Sequence, residues 1–90
     1  MKIFIVEDDE LYALQLEAML LAKGYDVLGK ATTYQNAIDF LQNKSVDIAI
    51  VDIELNETED GFLLAEYLQT KGIPYILITA YDSPQFYEKA

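Results

Sequence analysis

Short apolar runs alternate along the chain with segments of helical pattern. The clearest runs cover residues 3–6, 47–51 and 75–78, and a weaker run covers residues 26–29. The three clear runs do not alternate polar with apolar positions, which is typical of strands covered on both faces in a parallel sheet. The weaker run suits an edge strand.

Between these runs, apolar residues recur at helical spacings. In residues 11–22 they are Leu11, Leu14, Ala18 and Leu21, and Gly24 follows at the position of a C-terminal cap. The pattern therefore predicts a first helix over these residues.

Two further helices are predicted in the same way. Thr33 is a candidate N-cap for a second helix, whose stripe contains Ala37, Ile38 and Leu41. A third helix is expected over residues 61–70, with Leu64, Ala65 and Leu68 facing inward and Gly72 near its end.

The end of the sequence predicts a fourth helix. Ser83 is a candidate N-cap, and Pro84 would take the first helical position, where its missing N–H group costs nothing. The whole pattern is β-α-β-α-β-α-β-α. Such alternation requires right-handed crossovers and predicts an open α/β sheet with helices on both faces.

Composition narrows the function classes. Ninety residues, 52% of them hydrophobic, fit one small domain. The net charge of −10 disfavours direct binding to nucleic acid or to an anionic membrane. Cysteine is absent, so the chain has neither a disulfide framework nor a thiolate zinc site. We expect a cytoplasmic protein.

Acidic residues and one hydroxyl follow three of the predicted strands. Glu7, Asp8, Asp9 and Glu10 follow the first, and Asp52 follows the run at residues 47–51. Three further candidates lie beyond strand ends: Glu54 comes two positions after Asp52, and Thr79 and Ala80 follow the last strand. In open parallel sheets, sites form in the crevice beyond the carboxyl ends of the strands.

The carboxylates of Glu7, Asp8 and Asp52 are expected to be close neighbours at this edge. Two carboxylates about 4 Å apart repel by roughly 4 kcal/mol at an effective dielectric near 20, so the group must protonate, move apart or bind a cation. Oxygen ligands without His or Cys favour a hard ion such as Mg²⁺. A carboxylate beside that ion can act as a nucleophile toward phosphorus.

The segments at residues 3–10, 47–53, 60–61 and 77–80 resemble the receiver domain of two-component response regulators. Gly29 to Ala31, with Asn36 and Ala37, is similar to that family's second strand and second helix. The resemblance spans essentially the whole chain. It implies a flavodoxin-like, doubly wound parallel sheet with strand order 2-1-3-4 in this segment.

The resemblance also assigns roles to individual residues. It makes Asp52 the phosphoacceptor, and it makes Glu7 and Asp8 the acidic pair, of which Asp8 is the expected direct Mg²⁺ ligand. Glu54 would contribute its backbone carbonyl to the metal. Thr79 would be the switch hydroxyl, and Ala80 the small residue that leaves room for the phosphoryl group.

The resemblance further implies a signalling phosphoacceptor, and not an enzyme acting on other substrates. A sensor histidine kinase would donate the phosphoryl group. We expect residues 1–90 to be a receiver domain that ends in or after its fourth helix, before the family's fifth strand with its lysine and the fifth helix. A C-terminal output domain and a second copy of the chain are then the expected partners, together with the sensor kinase, and the fourth strand would be left unpaired.

Rival interpretations fit less well. A haloacid-dehalogenase-type phosphatase requires a second Asp two positions after the nucleophile, where this chain has Glu54. A flavodoxin-like flavin binder requires a Ser/Thr-rich phosphate loop after the first strand, where this chain has carboxylates. The alternative that stays open is a non-catalytic, receiver-like interaction module. Asp9 and Glu10 are interpreted as residues that begin the first helix.

Overall fold

The structure is a computed structural model that describes residues 1–53 and 61–78 in full, and the backbone of residues 60 and 86–89. Its elements are β1 (Lys2–Val6), α1 (Glu10–Ala22), β2 (Asp26–Ala31), α2 (Tyr34–Asn43), β3 (Ile48–Asp52), α3 (Asp60–Lys71), β4 (Tyr75–Ile78) and β5 (Phe86–Lys89).

The strands form one sheet in the order β2-β1-β3-β4-β5, and β1 to β4 are parallel. This confirms the predicted flavodoxin-like order 2-1-3-4. Val6 pairs with Val51, and Asp52 pairs with Ile78. The register therefore brings the carboxyl ends of β1, β3 and β4 to the same edge of the sheet.

Both faces of the sheet carry buried apolar residues. On one face, Phe4, Val6 and Val51 pack with residues of α2 and α3, and the predicted inward residues Leu64, Ala65 and Leu68 are buried there, as are Ala37 and Leu41. The Phe4 and Phe40 rings stack with their centroids 4.3 Å apart. Gly29 makes this stacking possible, because a Cβ at this position would lie 2.7 Å from the Phe40 ring.

The predicted helix ends are confirmed by local hydrogen bonds and backbone angles. Asp9 caps α1 by accepting bonds from the amides of Leu11 and Tyr12, both at 3.1 Å. Thr33 caps α2 by accepting from the Asn36 amide at 3.1 Å. Gly24 and Gly72 follow α1 and α3 with φ of 89° and 72°, a region that favours glycine. Within the described part of the chain, no helix has the length and apolarity to span a membrane.

The helical spacing at Leu11, Leu14, Ala18 and Leu21 predicted α1 correctly, but these residues face the solvent. The residues of α1 that are buried against the sheet are Ala13 and Leu16, with Tyr12 and Leu20 partly buried beside them. Periodicity identified the helix and could not orient it, because α1 has apolar residues on two faces.

The C-terminal segment differs from the expectation. Where the sequence predicts a fourth helix and an unpaired fourth strand, β5 pairs antiparallel with β4, with Phe86 opposite Ile78. Ser83 and Pro84 lie outside the described residues. The free edge of a strand offers a row of unpaired N–H and C=O groups, and the chain's own Phe86–Lys89 segment satisfies them. The fifth position of the sheet is thus filled by residues predicted as helix.

Candidate acidic site

Three carboxylates meet where β1 and β3 end. Glu7 and Asp8 directly follow β1, and Asp52 is the last residue of β3. One carboxylate oxygen from each lies within 4.8 Å of the others. The structure thus brings together the three acidic side chains that the sequence predicted as neighbours.

This group is buried to an unusual degree for charged residues. Glu7 is 1% exposed and Asp52 is 5% exposed, while Asp8 is half-buried. The Asp9 amide donates to Glu7 Oε1 at 3.1 Å. Glu7 Oε2 is buried and has no hydrogen-bonding partner among the described residues. Buried polar atoms are nearly always paired, so this oxygen marks a place where a donor or a cation fits.

The surroundings disfavour negative charge on Glu7. Burial is the largest cause, and together with the nearby carboxylates of Asp52 and Asp8 it raises the pKa of Glu7 from 4.5 to about 8. The hydrogen bond from the Asp9 amide opposes this rise in pKa. Carboxylates can satisfy one another only by sharing a proton or a cation, which makes protonation and cation binding competing events here.

The donor set suits a hard divalent cation. It consists of carboxylate oxygens, and no cysteine or histidine occurs in the chain. Oxygen-only ligands of this kind are those used for Mg²⁺, Ca²⁺ and Mn²⁺. Glu7 Oε2, which has no hydrogen-bonding partner within residues 1–53 and 61–78, is consistent with that assignment.

Gly61 allows α3 to begin directly against the site. A Cβ at Gly61 would overlap the backbone carbonyl oxygens of Asp52 and Ile53. The sequence marked Gly61 as part of the resemblance but gave no reason for a glycine there. The structure supplies that reason, which is the close approach of two backbone segments.

Tyr12 also belongs to the surroundings of the site, and the sequence did not indicate it. Its side chain is half-buried in the first turn of α1. Burial, followed by the negative charges of Glu7 and Asp52, raises the pKa of the Tyr12 phenol. The ring therefore stays neutral near the carboxylates. A signal for this residue would have required knowledge of which way α1 faces.

The family comparison decides the classification. The family model of the response regulator receiver domain matches residues 3–90. The chain belongs to this family. The strand order and the acidic group at the carboxyl edge agree with that membership.

Known proteins similar to this receiver domain are regulators. It is 35% identical over 89 residues to the transcriptional regulatory protein DesR of Bacillus subtilis, covering 98% of this chain and 44% of DesR. The chain thus spans less than half the length of that relative.

Two solved structures have the same TM-score of 0.82. One is a receiver domain of a modulated diguanylate cyclase from Desulfovibrio desulfuricans, described as an example of alternate folding; it is 36% identical, and the match covers 91% of this chain and 66% of that one. The other is the anti-anti-sigma factor PhyR of Bartonella quintana in complex with the anti-sigma factor NepR, 29% identical, with 99% of this chain and 40% of that one covered.

Three predicted site residues of the receiver domain lie outside the described residues: Glu54, Thr79 and Ala80. Their assigned roles stay predictions.

Of the lysines, Lys30 shares a cavity of about 170 Å³ with Glu7, lined also by Glu10, Ala13 and Thr32. The Lys30 ammonium lies 2.7 Å from Glu17 Oε1, so its ion-pair partner is a residue of α1 and not a carboxylate of the acidic site.

Proposed function

We propose that this receiver domain accepts a phosphoryl group on Asp52 from the phosphohistidine of a sensor histidine kinase. The observation that supports this most is that one carboxylate oxygen from each of Glu7, Asp8 and Asp52 lies within 4.8 Å of the others. Among these residues, Glu7 also has a buried oxygen for which the described part of the chain offers no partner. Ionised carboxylates this close repel one another, and a cation bound between them would offset that repulsion beside a carboxylate nucleophile.

The transfer is a substitution at phosphorus. An Asp52 carboxylate oxygen forms the new O–P bond as the N–P bond of the donor breaks. The electron pair of that bond goes to the imidazole nitrogen. The product is an aspartyl phosphate, and the domain catalyses only its own phosphorylation and dephosphorylation. Asp52 is 5% exposed at the carboxyl end of β3, so the donor is proposed to approach from that edge of the sheet.

Mg²⁺ is the proposed cofactor, held by Glu7, Asp8 and Asp52 together with the backbone carbonyl of Glu54. When bound, the ion offsets negative charge on the phosphoryl oxygens. Glu7 and Asp8 orient the site by presenting their oxygens from the end of β1. Because the pKa of Glu7 is raised to about 8, a cation held there would compete with its proton.

Two residues after β4 complete the proposal. Thr79 would donate its hydroxyl to a phosphoryl oxygen, and Ala80 would leave room for the group. Movement of Thr79 toward the new charge would shift the domain between two conformations and change the surface near β4.

The whole protein is proposed to be longer and regulatory. This chain covers 44% of DesR and 31% of the regulator PhyR of Methylorubrum extorquens, which leaves room in such relatives for a further domain. We infer a C-terminal output domain on this basis, and we further propose a cytoplasmic location and homodimerisation. The net charge of −10 supports a receiver segment that does not itself contact nucleic acid or membrane.

The test uses acetyl phosphate as a small phosphodonor, with intact-protein mass spectrometry as the readout. Wild type with Mg²⁺ should gain the mass of one phosphoryl group, and both omission of Mg²⁺ and Asp52→Asn should abolish the gain. Asp26→Asn is the matched control, because Asp26 is an exposed aspartate at the start of β2. Labelling that survives Asp52→Asn would exclude Asp52 as the acceptor, and no labelling of wild type would favour the non-catalytic interaction module.

A further inference from the structure

Lys30 and Glu7 lie on the same face of the sheet, on neighbouring strands. The register pairs Lys30 with Ile5, and Glu7 comes two positions after Ile5. The Glu7 amide donates to the Ala31 carbonyl at 3.0 Å, so the pairing of the two segments continues past the end of β1. Ile5 packs in the core cluster with α1, and Lys30 forms its ion pair with Glu17 of α1. Diagonal neighbours on one face of paired strands are within reach of a long side chain.

The two residues also line one cavity. Its volume is about 170 Å³, which is several times the space that one water molecule or one ammonium group occupies. Glu7 is almost completely buried, and its Oε2 finds no hydrogen-bonding partner among the residues that the structure describes. A buried carboxylate oxygen without a donor is unfavourable, and a lysine ammonium offers three N–H donors. The cavity thus contains an acceptor that lacks a donor, with a strong donor on its wall.

The Lys30 ammonium is held by Glu17 instead. Its Nζ lies 2.7 Å from Glu17 Oε1, and both side chains are partly exposed. Ion pairs with this degree of exposure contribute little to stability, because water screens the charges and two long side chains lose rotational freedom. Release of Lys30 from Glu17 therefore costs little free energy, and the position of the ammonium depends on a weak contact.

We propose that Lys30 is an intramolecular competitor for the cation position of the acidic site, and that Glu17 is a positioning residue that keeps it away. While it is paired with Glu17, the ammonium leaves Glu7, Asp8 and Asp52 open to a divalent cation. Once released, it would enter the shared cavity and donate to Glu7, and its positive charge would oppose the cation. The proposal rests on the proposed function in one respect, which is that the acidic group binds a divalent cation.

The measurement is the affinity for Mn²⁺ without any phosphodonor, followed by the electron paramagnetic resonance signal of free Mn²⁺. Mn²⁺ takes the same kind of oxygen ligands as Mg²⁺. Glu17→Ala removes the acceptor that holds Lys30 and favours the helix. Lys30→Met removes the ammonium at a similar side-chain length, and the double variant completes the cycle. Glu66→Ala is the matched control, because Glu66 is an exposed glutamate on a different helix, α3. Asp8→Asn identifies the Mn²⁺ bound at the acidic site, since this variant should lose it.

The effect of Glu17→Ala should depend on Lys30. We expect this substitution to weaken Mn²⁺ binding by about tenfold when Lys30 is present, and by less than about twofold in the Lys30→Met background. Lys30→Met alone should tighten binding by about threefold, and Glu66→Ala should stay within about twofold of wild type. Simple loss of one negative charge would weaken binding by the same factor in both backgrounds, so the cycle separates movement of the ammonium from loss of charge.

Equal weakening by Glu17→Ala in both backgrounds, or weakening in neither, would overturn the role of Lys30 and leave the metal site of the proposed function intact. Failure of wild type and Lys30→Met alike to bind Mn²⁺, or binding that persists in Asp8→Asn, would overturn both the metal site and this proposal. Circular dichroism checks that each variant is folded, which we expect because Glu17 and Lys30 are partly exposed. No phosphoryl transfer takes part, so labelling with acetyl phosphate tests Asp52 as the acceptor independently.

Discussion

At the carboxyl ends of β1 and β3, a buried valine is followed directly by a buried acidic residue, and burial has opposite energetic effects on the two. Val6 and Val51 are fully buried, and Glu7 and Asp52, the next residues along, are almost as buried. Burial of the valines stabilises the fold through the hydrophobic effect. Burial of Glu7 disfavours its charged form, and its Oε2 has no hydrogen-bonding partner among the described residues. The apolar core thus stabilises the sheet, and the sheet in turn holds the acidic residues in a buried position that disfavours the charge on Glu7.

The largest expected effect lies on the apolar side of this comparison. Phe4→Ala removes a fully buried ring stacked on Phe40 and should lower the free energy of unfolding by about 3–5 kcal/mol. Urea denaturation measures this change. Met19→Ala, at a position of α1 that is half-exposed, is the control and should change it by less than about 0.5 kcal/mol. Similar effects of the two variants would mean that Phe4 is not in a packed core.

The junction between the interior and the site should be nearly as sensitive. Gly61→Ala places a Cβ against the carbonyls of Asp52 and Ile53, so the start of α3 must move. We expect a loss of about 1–3 kcal/mol in the free energy of unfolding. Gly24→Ala is a poor control because φ is positive there. Ala65→Gly is the better control, because it changes the stability of α3 without a clash at the site. A Gly61→Ala variant as stable as wild type would contradict the close approach.

On the acidic side, a substitution should have the opposite sign. Glu7→Gln removes a buried charge and should raise the stability of the metal-free protein by about 1 kcal/mol where wild-type Glu7 is ionised. The pKa of Glu7 is raised, so the folded state binds its proton more tightly than the unfolded state does. Wild type should therefore lose stability as the pH rises from 4.5 to about 8.

Thermal melts across that range of pH check the sign. The loss of stability should be smaller in Glu7→Gln than in wild type, and Glu10→Gln, at the exposed start of α1, is the control that should keep the wild-type slope. If Glu7→Gln destabilised the metal-free protein at every pH, Glu7 would be a structural residue with a favourable charge.

The smallest effect concerns charge without deep burial. Lys30 and Glu17 form a 2.7 Å ion pair whose side chains are 37% and 25% exposed. Lys30→Met should change the free energy of unfolding by less than about 1 kcal/mol. Denaturation at low and high salt gives the value. A larger loss would show that this pair, and not burial, controls the charge balance near the site.

Much of the fold could be predicted because local signals agree with it. The uninterrupted apolar runs predicted β1, β3 and β4, Thr33 was a recognisable cap, and Asp9 was placed at the start of the first helix. Which face of α1 packs against the sheet could not be predicted, because two faces of this helix contain apolar residues. The β5 pairing also escaped prediction, since a Ser-Pro helix start is a local signal and the free edge of β4 is a long-range one.

In the acidic site, too, features set by local sequence could be predicted and features set by long-range packing could not. Strand ends in a parallel sheet converge, so Glu7, Asp8 and Asp52 could be grouped from the sequence alone. The burial of Glu7, the approach of Gly61 and the proximity of Tyr12 depend on distances between segments far apart in the chain. Those distances exist only once the sheet and α1 have packed.

Chemical mapping of the acceptor is the most direct test of the central claim. After treatment with acetyl phosphate and Mg²⁺, borohydride reduction converts an aspartyl phosphate to homoserine, which peptide mass spectrometry can locate. We predict homoserine at Asp52 and unmodified aspartate at Asp26. Homoserine at another acidic residue, or none in a protein that carries the phosphoryl mass, would contradict the account.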